Sequence, residues 1–135
     1  MEELKERFAK VNLKVTSQRL IILDYILKTK EHPSAEMVYN AVRKILPTIT
    51  LSTVYNTLES LANKGLIFKL STPSGTTRYD GNLEPHIHFY DEKNNDIIDI
   101  YDDELYNMVA DYVKEKHYDN FKINNIFIEL RGQKS

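Results

Sequence analysis

Cysteine is absent from this 135-residue chain. Its absence excludes a disulfide framework, a thiol nucleophile, an iron–sulfur cluster and any zinc site built on thiolates. Also missing is an apolar run near the roughly 18 residues that a membrane span needs. The N-terminus, Met1-Glu2-Glu3-Leu4-Lys5, is charged and lacks the apolar stretch of a signal peptide. A cytoplasmic chain with no membrane partner is the expectation. There is no internal repeat, low-complexity tract or glycine-rich phosphate loop. Nor does one sign of charge dominate: 18 Lys+Arg against 20 Asp+Glu leave a formal net charge of -2. The 41% apolar content suffices for a core, and the mean hydropathy of -0.47 describes a well-solvated surface. The length admits one domain or two small ones.

The balanced total hides an asymmetry. Residues 1–80 carry 12 Lys+Arg and 8 Asp+Glu, whereas residues 81–135 carry 6 and 12. A basic half suits a polyanion, and an acidic half suits cations or a partner. Uneven sampling over a short chain is the bland alternative.

Residues 1–80 read mainly as helices. Leu4, Phe8 and Val11 share one face of a helix over residues 3–11. Thr16 is placed to cap a second helix, whose stripe is Leu20, Ile21, Leu23, Ile26 and Leu27. Pro33 disfavours helix at His32, and Ser34 can cap a third helix. That helix carries Met37, Val38, Ala41, Val42 and Ile45, and Pro47 is expected to end it. A fourth helix follows Thr50 or Ser52, with Leu51, Val54, Leu58, Leu61 and Ala62 as its apolar face and Gly65 as its C-terminal cap. Its other face offers Thr53, Asn56, Thr57, Ser60 and Asn63, with Tyr55 at the border and Glu59 as its one acid. Two helices joined by the short link 46–50 fit a helix-turn-helix. The β-prone stretches Leu66–Ser71 and Thr76–Asp80 flank a turn at Thr72-Pro73-Ser74-Gly75. Together these make a winged helix; the alternative is a generic helical bundle bearing a hairpin.

Residues 81–85 read as a hinge or linker. Beyond it, Ile87–Asp91 and Asp96–Ile100 are expected to pair across residues 92–95. A helix over residues 103–115 follows, with Leu105, Met108, Val109, Tyr112 and Val113 as its inner stripe and Asp102, Asp103 and Glu104 at its positive end. The alternation over Lys122–Leu130 predicts a last strand. So small a β-β-α-β unit buries little surface alone. Its sheet edge and apolar face call for a second copy, so a homodimer is expected.

Histidines carry the clearest chemistry. His86 and His88 form His-x-His on the expected strand, so both rings point to one face. Asp80 precedes them, and Asp99 lies on the neighbouring strand. His32 lies far upstream at a helix boundary. Imidazole with carboxylate suits iron, manganese or zinc, although hydrogen-bonded surface histidines also occur in this pattern. Asp91, Asp96 and Asp102 read as a solvated acidic face. His117 reads as a partner of its helix dipole.

Several segments resemble the ferric uptake regulator (Fur) family of metal-dependent bacterial repressors. They are Lys14-Val15-Thr16-Ser17-Gln18-Arg19, His32-Pro33-Ser34-Ala35, Ser52-Thr53-Val54-Tyr55-Asn56-Thr57-Leu58, Arg78-Tyr79-Asp80 and His86-Ile87-His88. Their order and spacing cover nearly the whole chain. The resemblance implies an α+β protein with a winged helix-turn-helix DNA-binding domain over residues 1–80 and a hinge at 81–85. A small α/β domain for dimerisation and metal sensing follows over 86–135. It also implies His32, Asp80, His86, His88 and Asp99 as ligands of one regulatory metal. Iron(II) or manganese(II) is the expected ion, with zinc(II) as a substitute. Aspartate at both Asp80 and Asp99 resembles the peroxide-responsive repressor (PerR) subgroup; iron- and zinc-uptake regulators more often carry glutamate there.

The chain departs from the family at two places. Many relatives hold a structural zinc in two Cys-x-x-Cys pairs. The first falls here at Asp91 and Asn94, and the second falls about where the sequence ends, so no structural four-cysteine zinc is expected. A further family metal site has Pro85 and Asn125 at its histidine positions. One regulatory metal per protomer is the expectation.

The function implied is a repressor, not an enzyme, binding double-stranded DNA at a pseudo-palindromic operator as a homodimer. Ser52, Thr53, Tyr55 and Asn56 of the reading helix would enter the major groove, with thymine methyls the target of Tyr55. Lys14, Arg19 and Lys69 would meet phosphates or a groove edge. In similar peroxide sensors, iron(II) and hydrogen peroxide oxidise a histidine ligand, here His32 or His86, and DNA is released. The alternatives are an iron- or manganese-responsive regulator of metal uptake, a non-haem iron enzyme using His86, His88 and Asp99, and a winged-helix protein with a vestigial metal site.

Overall fold

The computed structural model describes residues 1–135. They form two compact units, Met1–Leu83 and Glu84–Ser135. The first contains α1 (Glu2–Lys10), α2 (Ser17–Lys28), α3 (Ala35–Val42), α4 (Leu51–Asn63) and the hairpin strands β1 (Phe68–Ser71) and β2 (Thr77–Asp80). Helix starts follow their local chemistry. The side chains of Thr16, Ser34 and Thr50 accept hydrogen bonds from the amides of Arg19, Met37 and Thr53 at 3.1, 3.3 and 3.1 Å. Each such cap contributes about 1 kcal/mol. At the end of α4, Gly65 takes φ 76°, Leu66 N–H reaches the Leu61 carbonyl at 2.9 Å, and Gly65 N–H reaches that of Ala62 at 3.0 Å. This paired bonding satisfies the last carbonyls and needs a left-handed residue at Gly65.

The core of this unit gathers one face from every helix. Phe8, Ile22, Leu23, Ile26, Val38, Val42, Val54, Leu58 and Leu61 are buried together, and Tyr79 of β2 joins them. Helix α3 stops at Val42, five residues before Pro47. Ile45 and Leu46 N–H both turn back to the Val42 carbonyl, at 2.9 and 2.8 Å. The tightened turn leaves Ile45 65% exposed and delivers Ile49 to the core in its place. Leu51 is exposed because it lies at the tip of α4, whereas Thr57, one turn beyond Val54, is buried. The first strand begins two residues later than expected, since Leu66 and Ile67 are spent on the helix cap and core.

The hairpin β1–β2 is antiparallel, pairing Phe68 with Asp80 and Ser71 with Thr77. Its turn is closed by Thr72 Oγ1 donating to the Thr76 carbonyl at 2.7 Å, with Gly75 at φ 88°. Following α3 and α4, it completes a winged helix. Just beyond β2, a Cβ on Gly81 would lie 2.8 Å from the Ile26 carbonyl, so the backbone there runs against α2.

The second unit contains β3 (Ile87–Asp91), β4 (Asp96–Ile100), α5 (Asp103–Lys116) and β5 (Ile128–Gly132). Sheet order is β4-β3-β5, antiparallel between β3 and β4 and parallel between β3 and β5. The last strand begins at Ile128 rather than Lys122. Ile123 and Ile126 are three apart, which breaks the strand period, while Ile126, Ile128 and Leu130 keep it. Asp91 is also unlike its reading as a solvated acid: it is fully buried. Its Oδ1 accepts from the amides of Lys93 and Asn94, at 3.0 and 3.4 Å, and its Oδ2 accepts from Asn94 Nδ2 at 3.0 Å. The Asn94 side-chain bond holds the Asp91 carboxyl below its ordinary pKa. A carboxylate and an amide therefore close the β3–β4 turn at Asp91 and Asn94. Helix α5 is capped by Asp102 but has no buried residue. Met108 and Tyr112, expected on its inner stripe, are exposed.

Candidate metal centre and nucleic-acid interface

Helix α4 presents Ser52, Tyr55 and Asn56, three of the residues expected to read DNA, to solvent, with Thr53 half-buried. Beside it, Lys14 and Arg19 line a cleft of about 330 Å³ together with Thr53, Asn56 and Ser60. Arg19 Nη1 donates to the Lys14 carbonyl at 2.7 Å, tying the turn before α2 to the start of that helix. Two cations, hydroxyls and an amide around one cleft have the chemistry that meets a sugar–phosphate strand.

Lys69 is differently engaged. On β1 it pairs with Glu59 of α4, Nζ to Oε1, at 2.7 Å. Tyr79 of β2 donates its hydroxyl to Glu59 Oε2 at 2.9 Å. The Lys69 bond holds the Glu59 carboxyl below its usual range, and burial, with Glu59 beside it, pushes the Tyr79 phenol upward. One acid thus ties both wing strands to α4, a role the sequence pattern did not reveal. Replacing Glu59 by Gln keeps an acceptor for Tyr79 and removes one negative charge from α4. The expected result is DNA affinity raised about 3–10-fold at low salt, the gain shrinking as salt rises. Fluorescence anisotropy across a salt series measures it, and weakened binding would show that the pair persists on DNA to hold the wing.

Metal-ligand chemistry occurs in each unit. In the first, His32 lies between α2 and α3 at φ 52°, and its Nε2 is 3.5 Å from Asp80 Oδ2 at the end of β2. Both side chains are buried. Asp80 Oδ1 accepts from Asn82 N–H at 2.9 Å, which orients the carboxylate.

In the second unit, His86 precedes β3 and His88 lies within it, two residues on and therefore on the same face. The β3–β4 register sets Asp99 opposite His88. The Nε2 atoms of His86 and His88 are 2.9 Å apart, and Asp99 Oδ1 is 3.3 and 3.4 Å from them. His86 Nδ1 meets the Glu84 carbonyl at 2.7 Å. That carbonyl can only accept, so Nδ1 carries a proton and the Nε2 lone pair of neutral His86 faces the group.

This donor set fits a first-row divalent ion. With ligands about 2.1 Å from a metal, neighbouring ligand atoms lie about 3.0 Å apart in an octahedron and about 3.4 Å apart in a tetrahedron. The observed spacings span that range. The Glu84 carbonyl is an orienting partner of the kind usual behind a metal-bound imidazole. His117 stands apart, in left-handed conformation at the C-terminal end of α5.

The model of the ferric uptake regulator family matches residues 10–131. The chain belongs to that family. Among relatives of this Fur-family chain, the peroxide-responsive repressor PerR of Staphylococcus epidermidis is 29% identical over 135 residues, covering 96% of this chain and 87% of the relative. The Campylobacter jejuni peroxide stress regulator is 29% identical with a TM-score of 0.75, over 99% of this chain and 95% of that one. The ferric uptake regulator of Pseudomonas aeruginosa, solved with manganese, is 25% identical with a TM-score of 0.81, over 96% of each chain. In Fur-family terms the present fold is the expected α+β arrangement, an N-terminal DNA-binding domain followed by a dimerisation domain. No helix is long and apolar enough to cross a membrane.

Proposed function

We propose that this Fur-family protein is a metal-gated, DNA-binding transcriptional repressor that responds to peroxide. The observation that carries the metal reading is the convergence of His86, His88 and Asp99 on one point. His32 and Asp80 are the remaining ligands of the same ion in this proposal, which makes ligation a link between the two units. Naming in the relatives supports the peroxide response, as do the two short carboxylates, Asp80 and Asp99.

Bound iron(II) supplies one-electron reactivity toward peroxide that manganese(II) and zinc(II) lack. The chain's own residues supply the rest. Glu84 holds the His86 tautomer, Asp99 offers the anionic donor, and α4 with its neighbouring cations reads DNA. The protein is consumed by the signal, with no catalytic turnover. Anaerobic DNA-binding titrations with iron(II), manganese(II) and zinc(II), each followed by peroxide, test this reading. Metal-stimulated binding lost to peroxide only with iron supports it. Binding unaffected by chelator would contradict metal gating. Stimulation by iron or manganese without peroxide sensitivity would favour a regulator of metal uptake, a reading to which the likeness to the manganese-containing Pseudomonas structure lends weight.

The working form in this proposal is a homodimer on a pseudo-palindromic operator. Its support is the apolar surface of the second unit, where Met108, Tyr112, Phe121, Phe127 and Leu130 are all exposed. A second copy packed on this unit would cover such exposed apolar side chains. No thiolate-bound zinc supports this unit, as there is no cysteine. Chelator should therefore leave the dimer intact at micromolar concentration, whereas Phe127→Asp should dissociate it. Sedimentation velocity distinguishes these outcomes, and a monomer after chelation alone would contradict dimerisation through apolar contact.

A further inference from the structure

His32 adopts a conformation that its own sequence opposes. Its φ is 52°, in the left-handed region that side chains with a Cβ avoid. The next residue is Pro33, which favours an extended backbone at the residue before it. Something outside this segment must hold the turn. Arg78 Nε donates to the His32 carbonyl, and Arg78 Nη2 donates to the Glu31 carbonyl at 2.9 Å. The neighbouring Tyr79 N–H donates to the Pro33 carbonyl at 2.9 Å. Three consecutive carbonyls, 31 to 33, are thus bound from β2, the strand that ends in Asp80.

We infer that Arg78 is a positioning residue for metal binding: its guanidinium clamps the Glu31 and His32 carbonyls and so sets the His32 imidazole beside Asp80. The inference rests on the proposed role of His32 as a ligand. The planar fork of arginine serves two adjacent acceptors at once, which a lysine ammonium cannot do in the same geometry. Charge argues in the opposite direction. A cation close to His32 and Asp80 disfavours a second cation, so on electrostatics alone the loss of Arg78 would tighten metal binding. Position and charge therefore predict opposite signs.

The test is manganese(II) affinity of the full chain, read anaerobically from the spin-resonance signal of free manganese. Arg78→Ala and Arg78→Lys should each weaken binding about 10–100-fold, the usual cost of removing a ligand's supporting contact. The lysine variant keeps the charge and loses the fork, so its weakening belongs to geometry. His32→Ala should weaken binding at least as much, and adding Arg78→Ala to it should cost nothing further. Without metal, both Arg78 variants should show faster exchange of the Tyr79 amide and a shifted His32 ring resonance, with the other core amides still protected. Unchanged or tighter manganese binding in the Arg78 variants, with His32→Ala weakened, overturns this inference alone. Unchanged binding in His32→Ala overturns the ligand assignment and this inference together. Full additivity in the double variant also overturns it.

Discussion

Replacing His86 by Ala should abolish the stimulation of DNA binding by metal. His86 contributes one of three donor atoms in the second unit, and its tautomer is already held by Glu84. Removing it leaves the second unit with only His88 and Asp99 as donors. Metal affinity should fall by more than about 100-fold, because loss of a supporting contact behind a ligand already costs about 10–100-fold. Coupling between effector and DNA of about 1–3 kcal/mol corresponds to about 5–150-fold in DNA affinity. That whole stimulation should disappear, while the metal-free affinity stays that of the parent. Calorimetric metal titration and anisotropy on the same sample measure the two halves. Wild-type stimulation in His86→Ala would sink the gating model. The thermal midpoint checks that the loss is not unfolding, since His86 is buried beside β3.

Peroxide should mark the protein at a ligand histidine. After brief exposure with iron(II), peptide mass spectrometry should find one added oxygen on His32 or His86 and little with manganese(II). The net change is oxidation of one ring C–H by hydrogen peroxide, which delivers one oxygen atom and leaves as water. No cysteine competes for the oxidant. Met1 and Met108 are exposed and report on untargeted oxidation. Methionine oxidation alone, with DNA binding intact, would leave a metal-uptake regulator as the better description. Asp99→Glu tests the carboxylate argument. In the register of the hairpin Asp99 faces His88, and a further methylene moves the acid relative to both imidazoles. The variant should keep metal-dependent DNA binding and respond less to peroxide. Equal sensitivity would remove the carboxylate from the argument while leaving the regulator intact.

Features that act over one turn or one strand period were readable from the chain itself. Thr16, Ser34 and Thr50 announce helix starts because a short oxygen-bearing side chain reaches an amide three residues on. Gly65 announces a helix end because the left-handed cap is costly with a Cβ. His86 and His88 share a face because strands repeat every two residues, and their partner Asp99 followed from a tight hairpin. Apolar residues occur around most of the circumference of α2, so its pattern does not single out one buried face; Ile22, outside the expected stripe, is fully buried.

Tertiary contact decided the rest. The early end of α3 depends on Ile49 filling the core better than Ile45, which neighbouring residues do not encode. The position of β5 is set by parallel pairing of Ile128–Gly132 with β3, because the repeat of Ile123, Ile126 and Ile128 is ambiguous taken alone. Asp91 reads as a surface acid until the turn folds its amide partners around it. Glu59 and Lys69 are ten residues apart, and the Arg78–His32 contact spans 46. Capping and strand alternation are local and leave a mark in composition and spacing. A hydrogen bond between distant segments leaves none, because its geometry exists only once the helices and the wing have packed.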